Sequence, residues 1–489
     1  MTATDLPAGT APRPPRRPGG PRPAAGPGAP VAITGARPVP ATAAGTTDAA
    51  TGVALDVRTA EIDDVGDLLA LLPGPDVART FSWVRRGEGV VGWGSALRLE
   101  TAGPDRIRAA DEAWARALRT MTIEDEVRLP GTGPVAFGSF AFADTSAAGG
   151  VLVVPEVVVG RRDGRCWVTT VVPAGDGAAA ARAATLRLGV LPPPAPVTAP
   201  GPVGYGDGAL SAAAWTSAVA AVVRRIRAGE VTKVVMARDV VATTAAPVDV
   251  RHLLGNLAAD YPGCWTFSVD GLVGATPELL VRREKGLAAC RVLAGTIRRT
   301  GRDAEDLLRA AELARSSKDL EEHELAVASL VRALRPYCAS INVPEAPFVL
   351  HLPNVMHLAS DVTGVVDGAR AHPSTYRAHL PGGSGPSSLA LAAALHPTAA
   401  VGGTPTAAAT AILAEAERMD RARYAGPVGW IGADGDGEWG IALRSGEVAA
   451  DRRHVRLFAG CGIVGASDPA AELAESEAKL SPMRQALGG

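Results

Sequence analysis

The chain has 489 residues, of which 47% are hydrophobic and 20% are charged, and 49 basic against 51 acidic side chains leave a net charge of −2. Proteins that bind nucleic acids or membrane surfaces carry a basic excess, so this balance argues against both classes. No run of 18 apolar residues is free of charge, proline or glycine, and a membrane-spanning helix is therefore not expected.

The first 53 residues are rich in proline, glycine and alanine and contain almost no large apolar side chain. Such a segment cannot bury enough surface to offset the entropy lost on ordering. It also lacks the apolar region of a signal peptide. We therefore predict a disordered tail over residues 1–53 and folded structure from about Ala54.

Residues 54–203 alternate between strand-like and helix-like patterns. Strands are predicted at Val135–Phe142 and Val151–Val159, and a turn at Arg161–Arg165 leads into another strand at Cys166–Val172. A proline-rich connector around residues 191–202 then separates this N-terminal part of the fold from a second part, residues 204–489.

The second part begins with a predicted helix that Ser211 caps and Gly229 ends. A strand follows at Val231–Arg238, and one long helix is predicted from about Asp303 to Leu334. The acidic stretch Gly432–Gly437 lacks the terminal glutamate of a calcium-binding loop, so a hairpin turn is predicted there.

The C-terminal region is predicted to contain a strand at Val455–Ala459, a turn at Gly460–Gly462 and a final helix over about Ala470–Leu487. Free backbone amides in such a turn could cradle a carboxylate or phosphate. Arg444 could clamp a carboxylate with two hydrogen bonds. Cys461 has no histidine in a recognisable catalytic arrangement with it, which argues against a nucleophilic cysteine.

Only four of the 49 basic residues are lysines: Lys233, Lys285, Lys318 and Lys479. Lysine can lose its proton when it is desolvated, whereas arginine cannot, so a lysine in this arginine-rich chain is a candidate for chemistry. Lys233 shares a strand face with valines, which disfavour an ammonium ion and make it a candidate general base. A lysine that reaches past the strand end to pair with a carboxylate fits the same pattern.

Two predicted helices carry acidic side chains on one face. Asp319 and Glu322 are three residues apart, and Glu472, Glu475 and Lys479 follow the spacing i, i+3, i+7. If the two faces meet, their carboxylates need a cation between them, and oxygen ligands suit Mg²⁺. Two solvent-exposed charged faces are the alternative. The patterns together indicate an α/β enzyme that uses Mg²⁺ and acts on a small carboxylated molecule.

The five cysteines are scattered, odd in number and without a CxxC pair. This spacing excludes a zinc ribbon and argues against a disulfide framework, so we expect a cytoplasmic protein.

Ten motifs, in order and covering about Gly204–Leu487, resemble those of the chorismate-utilising enzymes, and most of all the isochorismate synthases. They include Lys233–Arg238 (KVVMAR), Gly274–Leu280 (GATPELL), Leu293–Arg299, Ser317–Glu324, Val355–Ala359, Leu395–Pro405, Tyr424–Trp430, Ile441–Arg444, Arg456–Val464 and Glu472–Leu480. The resemblance implies an α/β (α+β) fold in which two antiparallel sheets pack as a core and are surrounded by helices.

The resemblance also implies an Mg²⁺-dependent isomerase that adds water at C2 of chorismate and removes the C4 hydroxyl. Lys233 matches the family's general base and Glu278 its general acid. Glu322 and Glu475 match the metal ligands, and Asp319 and Glu472 match the acids that hold the waters of the metal. The residues that match substrate-binding positions are Thr296, His357, Tyr424, Arg444, Gly460, Cys461, Gly462 and Lys479.

Lysine at position 233 argues for water as the nucleophile, because the amine-forming members of the family have another residue there. Salicylate synthases also carry this lysine, and some share the Ala294–Thr296 sequence, so they remain the alternative; Gly402–Pro405 favours isochorismate synthase. A non-catalytic binding protein on the same scaffold is a third possibility. We expect a monomer without a glutaminase subunit, acting in menaquinone or siderophore synthesis.

Overall fold

The computed structural model describes residues 54–191, 193–368 and 385–488, so the predicted tail lies outside the described residues. The described strands, in chain order, are β1 (Leu55–Ile62), β2 (Thr80–Arg85), β3 (Glu88–Trp93), β4 (Leu97–Thr101), β5 (Met121–Asp125), β6 (Val135–Phe140), β7 (Gly150–Val154), β8 (Val157–Arg162), β9 (Arg165–Pro173), β10 (Val203–Asp207), β11 (Lys233–Thr244), β12 (Trp265–Val269), β13 (Leu272–Thr276), β14 (Leu279–Glu284), β15 (Leu287–Arg298), β16 (Cys338–Asn342), β17 (Phe348–His351), β18 (Val355–Val366), β19 (Gly403–Thr404), β20 (Pro427–Gly432), β21 (Gly437–Ile441), β22 (Ser445–Val448) and β23 (His454–Ile463).

The helices of the described residues are α1 (Arg106–Leu118), α2 (Gly177–Arg187), α3 (Ala212–Arg227), α4 (Val250–Asp260), α5 (Asp303–Arg315), α6 (Ser317–Leu334), α7 (Ser388–Leu395), α8 (Thr406–Ala416) and α9 (Pro469–Leu487), together with a short 3-10 helix at Leu69–Leu71. Among them, no helix combines the length and the apolar character that crossing a membrane requires.

The strands form two large sheets. The first has 13 strands in the order β10-β11-β23-β22-β13-β12-β2-β3-β8-β9-β1-β5, with β19 also paired to β11, and the second has ten in the order β16-β18-β15-β14-β21-β20-β6-β7-β4, with β17 paired to β18. Neighbours run antiparallel except for β1 and β5, which are parallel. The predicted fold class is confirmed, and strands from both sides of the proline-rich connector contribute to each sheet.

The core lies between the two sheets. Phe81 of β2 in the first sheet stacks on Phe137 of β6 in the second, with ring centroids 5.5 Å apart, and both rings are fully buried. Burial of large aromatic rings supplies much of the free energy that holds such layers together. The sheets are therefore fixed against each other, and their strand ends provide a rigid support for a site.

Two predicted elements are each divided in the structure. The single helix predicted from Asp303 to Leu334 is wrong: Ser316 is extended, with φ −69° and ψ 109°, and its hydroxyl caps α6 by accepting from the amide of Asp319. Likewise, the strand predicted at Val151–Val159 is interrupted at Pro155, which separates β7 from β8.

The turn predicted at Gly460–Gly462 is also wrong, because these residues belong to β23. They pair with β11 in the register Gly460–Ala237, Cys461–Met236 and Gly462–Val235. Two glycines around one residue are typical of a turn, but pairing along the whole length of β11 keeps this segment extended.

Candidate active site

A cavity of about 1000 Å³, counting its open side, lies where the ends of both sheets meet α6 and α9. Thirteen of the fourteen predicted site residues line it. They are Lys233, Glu278, Thr296, Asp319, Glu322, His357, Tyr424, Arg444, Gly460, Gly462, Glu472, Glu475 and Lys479. The fold thus brings together residues that are up to 246 positions apart in the sequence, from Lys233 to Lys479.

Lys233 begins β11 and is only 5% exposed. Its Nζ lies 2.5 Å from Oε1 of Glu322, so the lysine does pair with a carboxylate, but inside the cavity and not in solvent. Gly462 passes close beside this pair: a Cβ there would lie 3.1 Å from Lys233 Cε and 3.2 Å from Glu322 Oε1. The glycine therefore leaves the space that the lysine side chain occupies.

Glu278 lies between β13 and β14 and is 4% exposed. Burial raises the pKa of its carboxyl from 4.5 to about 8, although the nearby charge of Lys233 acts in the opposite direction. A carboxyl with this pKa is largely protonated at neutral pH, as a general acid must be. The cavity therefore presents an amine and a carboxylic acid together.

Thr296, His357 and Arg444 form a hydrogen-bonded chain in the wall of the cavity. Thr296 Oγ1 lies 3.0 Å from His357 Nδ1, and Arg444 Nη2 lies 3.2 Å from His357 Nε2. Because the guanidinium can only donate, Nε2 must accept, which places the ring hydrogen on Nδ1. Burial, and then the charges of Arg444 and Lys479, hold the pKa of His357 well below its usual range, so the ring is neutral.

Arg444 is almost fully buried and is held in a left-handed backbone conformation, with φ 50°. Its Nη1 has no hydrogen-bond partner in the part of the chain that the structure describes. A buried donor without a partner is costly, and a guanidinium with one free end in a cavity is suited to a carboxylate ligand.

Four carboxylates enter the cavity from two helices: Asp319 and Glu322 from α6, and Glu472 and Glu475 from α9. Glu322 pairs with Lys233, as described above, and Glu475 Oε1 lies 2.6 Å from Nζ of Lys479. Burial opposes a charge on Lys479, yet Glu475 raises the pKa of the lysine above its usual value. A set of four carboxylates beside a cavity fits a hard divalent cation.

The two glycines of β23 face the cavity, whereas Cys461 does not line it. The carbonyl of Gly460 accepts a hydrogen bond from Lys479 Nζ at 2.9 Å, so this carbonyl points away from β11. Backbone groups two residues apart in an antiparallel strand point to the same side, so those of Gly462 also point away from β11. The Cys461 thiol is fully buried and donates to the carbonyl of Glu472 at 3.4 Å. Backbone groups are thus offered by a strand edge and not by a turn.

Tyr424 is 4% exposed and stacks on Phe458 with ring centroids 5.0 Å apart. Burial raises the pKa of its phenol to about 12, so the hydroxyl remains a hydrogen-bond donor. Sequence reasoning missed one charged residue of the cavity, Arg421, which pairs with Glu417. Their spacing of four residues is the only signal in the sequence, and it is too common to be informative.

Comparison with known proteins identifies a family and several curated relatives. The family model described as "Chorismate binding enzyme" matches residues 57–488. A protein of Pseudomonas aeruginosa named salicylate biosynthesis isochorismate synthase is 34% identical over 414 residues, which cover 81% of this chain and 82% of that protein. Isochorismate synthase MenF of Bacillus subtilis is 30% identical, with 82% and 85% covered.

The solved structure of the menaquinone-specific isochorismate synthase MenF of Escherichia coli has the same fold. It aligns with a TM-score of 0.72 and 24% identity, and the alignment covers 89% of this chain and 95% of that one. Isochorismate synthases need a divalent metal ion, in keeping with the four carboxylates of the cavity. The family match over nearly all of the described residues, together with these relatives, shows that the chain belongs to the chorismate-binding enzymes, in their isochorismate synthase branch.

Proposed function

We propose that this protein is an isochorismate synthase that converts chorismate to isochorismate with Mg²⁺. The observation that carries the proposal is that Lys233 and Glu278 line the same cavity. Burial keeps the Glu278 carboxyl largely protonated at neutral pH, and the Lys233 amine lies beside the carboxylate of Glu322. An isomerisation that moves a hydroxyl group needs a base and an acid at two positions of one ring, and a positioned group of either kind contributes ~10²–10⁴-fold.

The chemistry assigned to the residues balances. Lys233 acts as the base: its amine accepts a proton from the water whose oxygen bonds to C2 of the ring. The ring double bond shifts, the C4–O bond breaks, and Glu278 donates its proton so that the hydroxyl leaves as water. Water enters and leaves through the open side of the cavity, and both groups regain their starting protonation from it.

Chorismate is a dianion, and the cavity offers positive groups for both carboxylates. Arg444, whose Nη1 has no partner among the described residues, and the backbone of Gly460 and Gly462 would bind the enolpyruvyl carboxylate, with the Tyr424 hydroxyl in the same cavity. Lys479 and His357 also line the cavity, and we propose that they border the ring. Mg²⁺ held by Glu322 and Glu475, with its waters on Asp319 and Glu472, would supply the charge that binds the ring carboxylate.

The deciding experiment is incubation of the purified protein with chorismate, with and without Mg²⁺, followed by chromatographic separation of the products. Isochorismate as the only product, formed in dependence on Mg²⁺, supports the proposal. Salicylate with pyruvate would identify a salicylate synthase instead. Unchanged chorismate under both conditions would refute catalysis and favour a binding protein.

We further propose that the enzyme acts in the cytoplasm as a monomer and without a glutaminase subunit. The five cysteines are all free, as a reducing compartment would keep them. With water as the nucleophile, no subunit is needed to deliver ammonia.

A further inference from the structure

The strand that carries Lys233 is incompletely covered along one edge. On the side away from β23, β19 pairs with Lys233 and Val234, and β10 pairs with residues 240–244. Between these two, no strand of the described chain pairs with β11. The backbone groups of Val235 and Ala237 that point to this side therefore need other partners, because they are buried.

Three buried side chains fill the gap: Trp215, whose Nε1 donates to the carbonyl of Ala237 at 3.0 Å, and the pair formed by Arg421 and Glu417. The amide of Val235 is bound by the backbone, to the carbonyl of Gly402 at 3.1 Å. Arg421 donates from Nη2 to the carbonyl of Val235 at 2.5 Å and from Nη1 to the carbonyl of Val401 at 2.9 Å. Oε1 of Glu417 accepts from the amide of Ala237 at 2.7 Å. Arg421 also donates to Glu417 directly, from Nε to Oε2 at 2.9 Å and from Nη2 to Oε1 at 2.5 Å. Glu417 is only 3% exposed and Arg421 only 4%.

The segment that this pair holds forms part of the cavity wall. Residues at alternate positions of a strand share a face, and Lys233, Val235 and Ala237 all line the cavity. Val401 lines it as well, so Arg421 ties two segments of the wall to each other. A shift of the Val235 backbone would be transmitted two residues along the strand to the Lys233 amine.

We infer that Glu417 and Arg421 are a positioning pair for Lys233: they replace a missing strand at the edge of β11 and fix the distance over which the lysine accepts its proton. The inference rests on the proposed function. Four of the five N–H donors of Arg421 are used in the contacts above, which assigns it to holding the wall before binding substrate.

The test compares Arg421→Lys and Glu417→Gln with the parent enzyme. The lysine ammonium is a compact charge that cannot reproduce the several hydrogen bonds of the planar guanidinium. Glutamine keeps the shape of Glu417 but loses its charge. A displacement of a catalytic group by about 1 Å costs up to ~10²-fold, so kcat should fall by about 10- to 100-fold. KM for chorismate should stay close to that of the parent.

Arg251→Lys is the matched control. Arg251 and Asp249 form another buried pair, in which Nη2 lies 2.6 Å from Oδ2 and Nη1 donates to the carbonyl of Ala195 at 2.7 Å, and neither residue lines the cavity. This variant should lose thermal stability like the others but keep kcat. All rates are measured well below the lowest Tm of the set.

Parental kcat in Arg421→Lys and Glu417→Gln, even with a lowered Tm, would overturn the inference, and a raised KM with normal kcat would show that Arg421 binds substrate directly. If Arg421→Lys does not fold, Glu417→Gln decides alone. If the parent enzyme itself leaves chorismate unchanged in the same assay, the proposed function is refuted and the positioning role falls with it.

Discussion

At the scale of single residues, the ability to lose a proton distinguishes Lys233 from an arginine. An arginine at this position would keep a positive charge next to Glu322, but a guanidinium does not act as a base at working pH. We expect Lys233→Arg to lower kcat by at least ~10²-fold, the lower end of what general base catalysis contributes. Lys285→Arg is the control, because Lys285 is exposed and lies away from the cavity. Activity of Lys233→Arg near that of the parent would contradict the assigned role.

The burial of Glu278 has consequences for pH dependence. Its pKa in the folded protein, about 8, lies above the ordinary value of 4.5, so the uncharged acid is the form that folding favours. We therefore expect kcat/KM to decline as the pH rises through about 8, because the protonated acid disappears. A pH–rate profile that stays flat to pH 9 would rule out Glu278 as the acid.

The same shift predicts a pH-dependent difference in stability between the parent and Glu278→Gln. The contribution of the uncharged acid is complete below pH 4.5 and is lost as the pH rises toward about 8, with a slope of at most about 1.4 kcal/mol per pH unit. Glutamine does not ionise, so the variant should gain stability relative to the parent over this window. Denaturant unfolding at pH 5, 7 and 9 measures the gain, and parallel changes in both proteins would contradict it.

At the scale of elements, α6 and α9 are far apart in the sequence, and together they bring four carboxylates to one cavity. Loss of a group that only orients a metal ligand costs 10- to 100-fold in affinity. We expect Glu322→Gln and Glu475→Gln each to raise the Mg²⁺ concentration for half-maximal activity by at least about 10-fold. Direct calorimetric titration with Mg²⁺ should show the same loss of affinity.

Glu324→Gln provides the control for the metal site, since Glu324 is on α6 but exposed. Its Mg²⁺ dependence should match that of the parent. An unchanged Mg²⁺ response in both cavity variants would place the metal elsewhere.

Elements set by local signals could be predicted from the sequence, and those set by distant partners could not. The sequence predicts that Ser211 caps a helix, and its hydroxyl accepts from the amide of Ala214 at 3.2 Å at the start of α3. Whether Gly460–Gly462 forms a turn or a strand depends on pairing with β11, more than 200 residues earlier in the sequence. The two glycines alone predict a turn, because local sequence does not reveal that partner. The Glu417–Arg421 pair cannot be predicted from local sequence for the same reason, because its role exists only where β11 lacks a neighbouring strand.

At the scale of the whole molecule, the cavity residues all come from the second part, yet the sheets that support them do not. β12 pairs with β2, and β20 pairs with β6, so strands before residue 204 complete both sheets. Without those partners the edges of β12 and β20 would expose unpaired backbone groups and apolar faces. The N-terminal part therefore supports the site although it contributes none of the predicted catalytic residues.

This arrangement predicts opposite results for two truncations. A chain that begins at Ala54 keeps every described strand, so its kcat/KM with chorismate should equal that of the full chain. A chain that begins at Gly204 loses β1–β9 and should be aggregated or inactive, because interior strands of both sheets lose their neighbours. Product assays and size-exclusion chromatography on both chains measure the difference. A large fall in kcat/KM on removal of residues 1–53 alone would show that the proline-rich segment takes part in turnover. That result would contradict the disordered tail predicted from its composition.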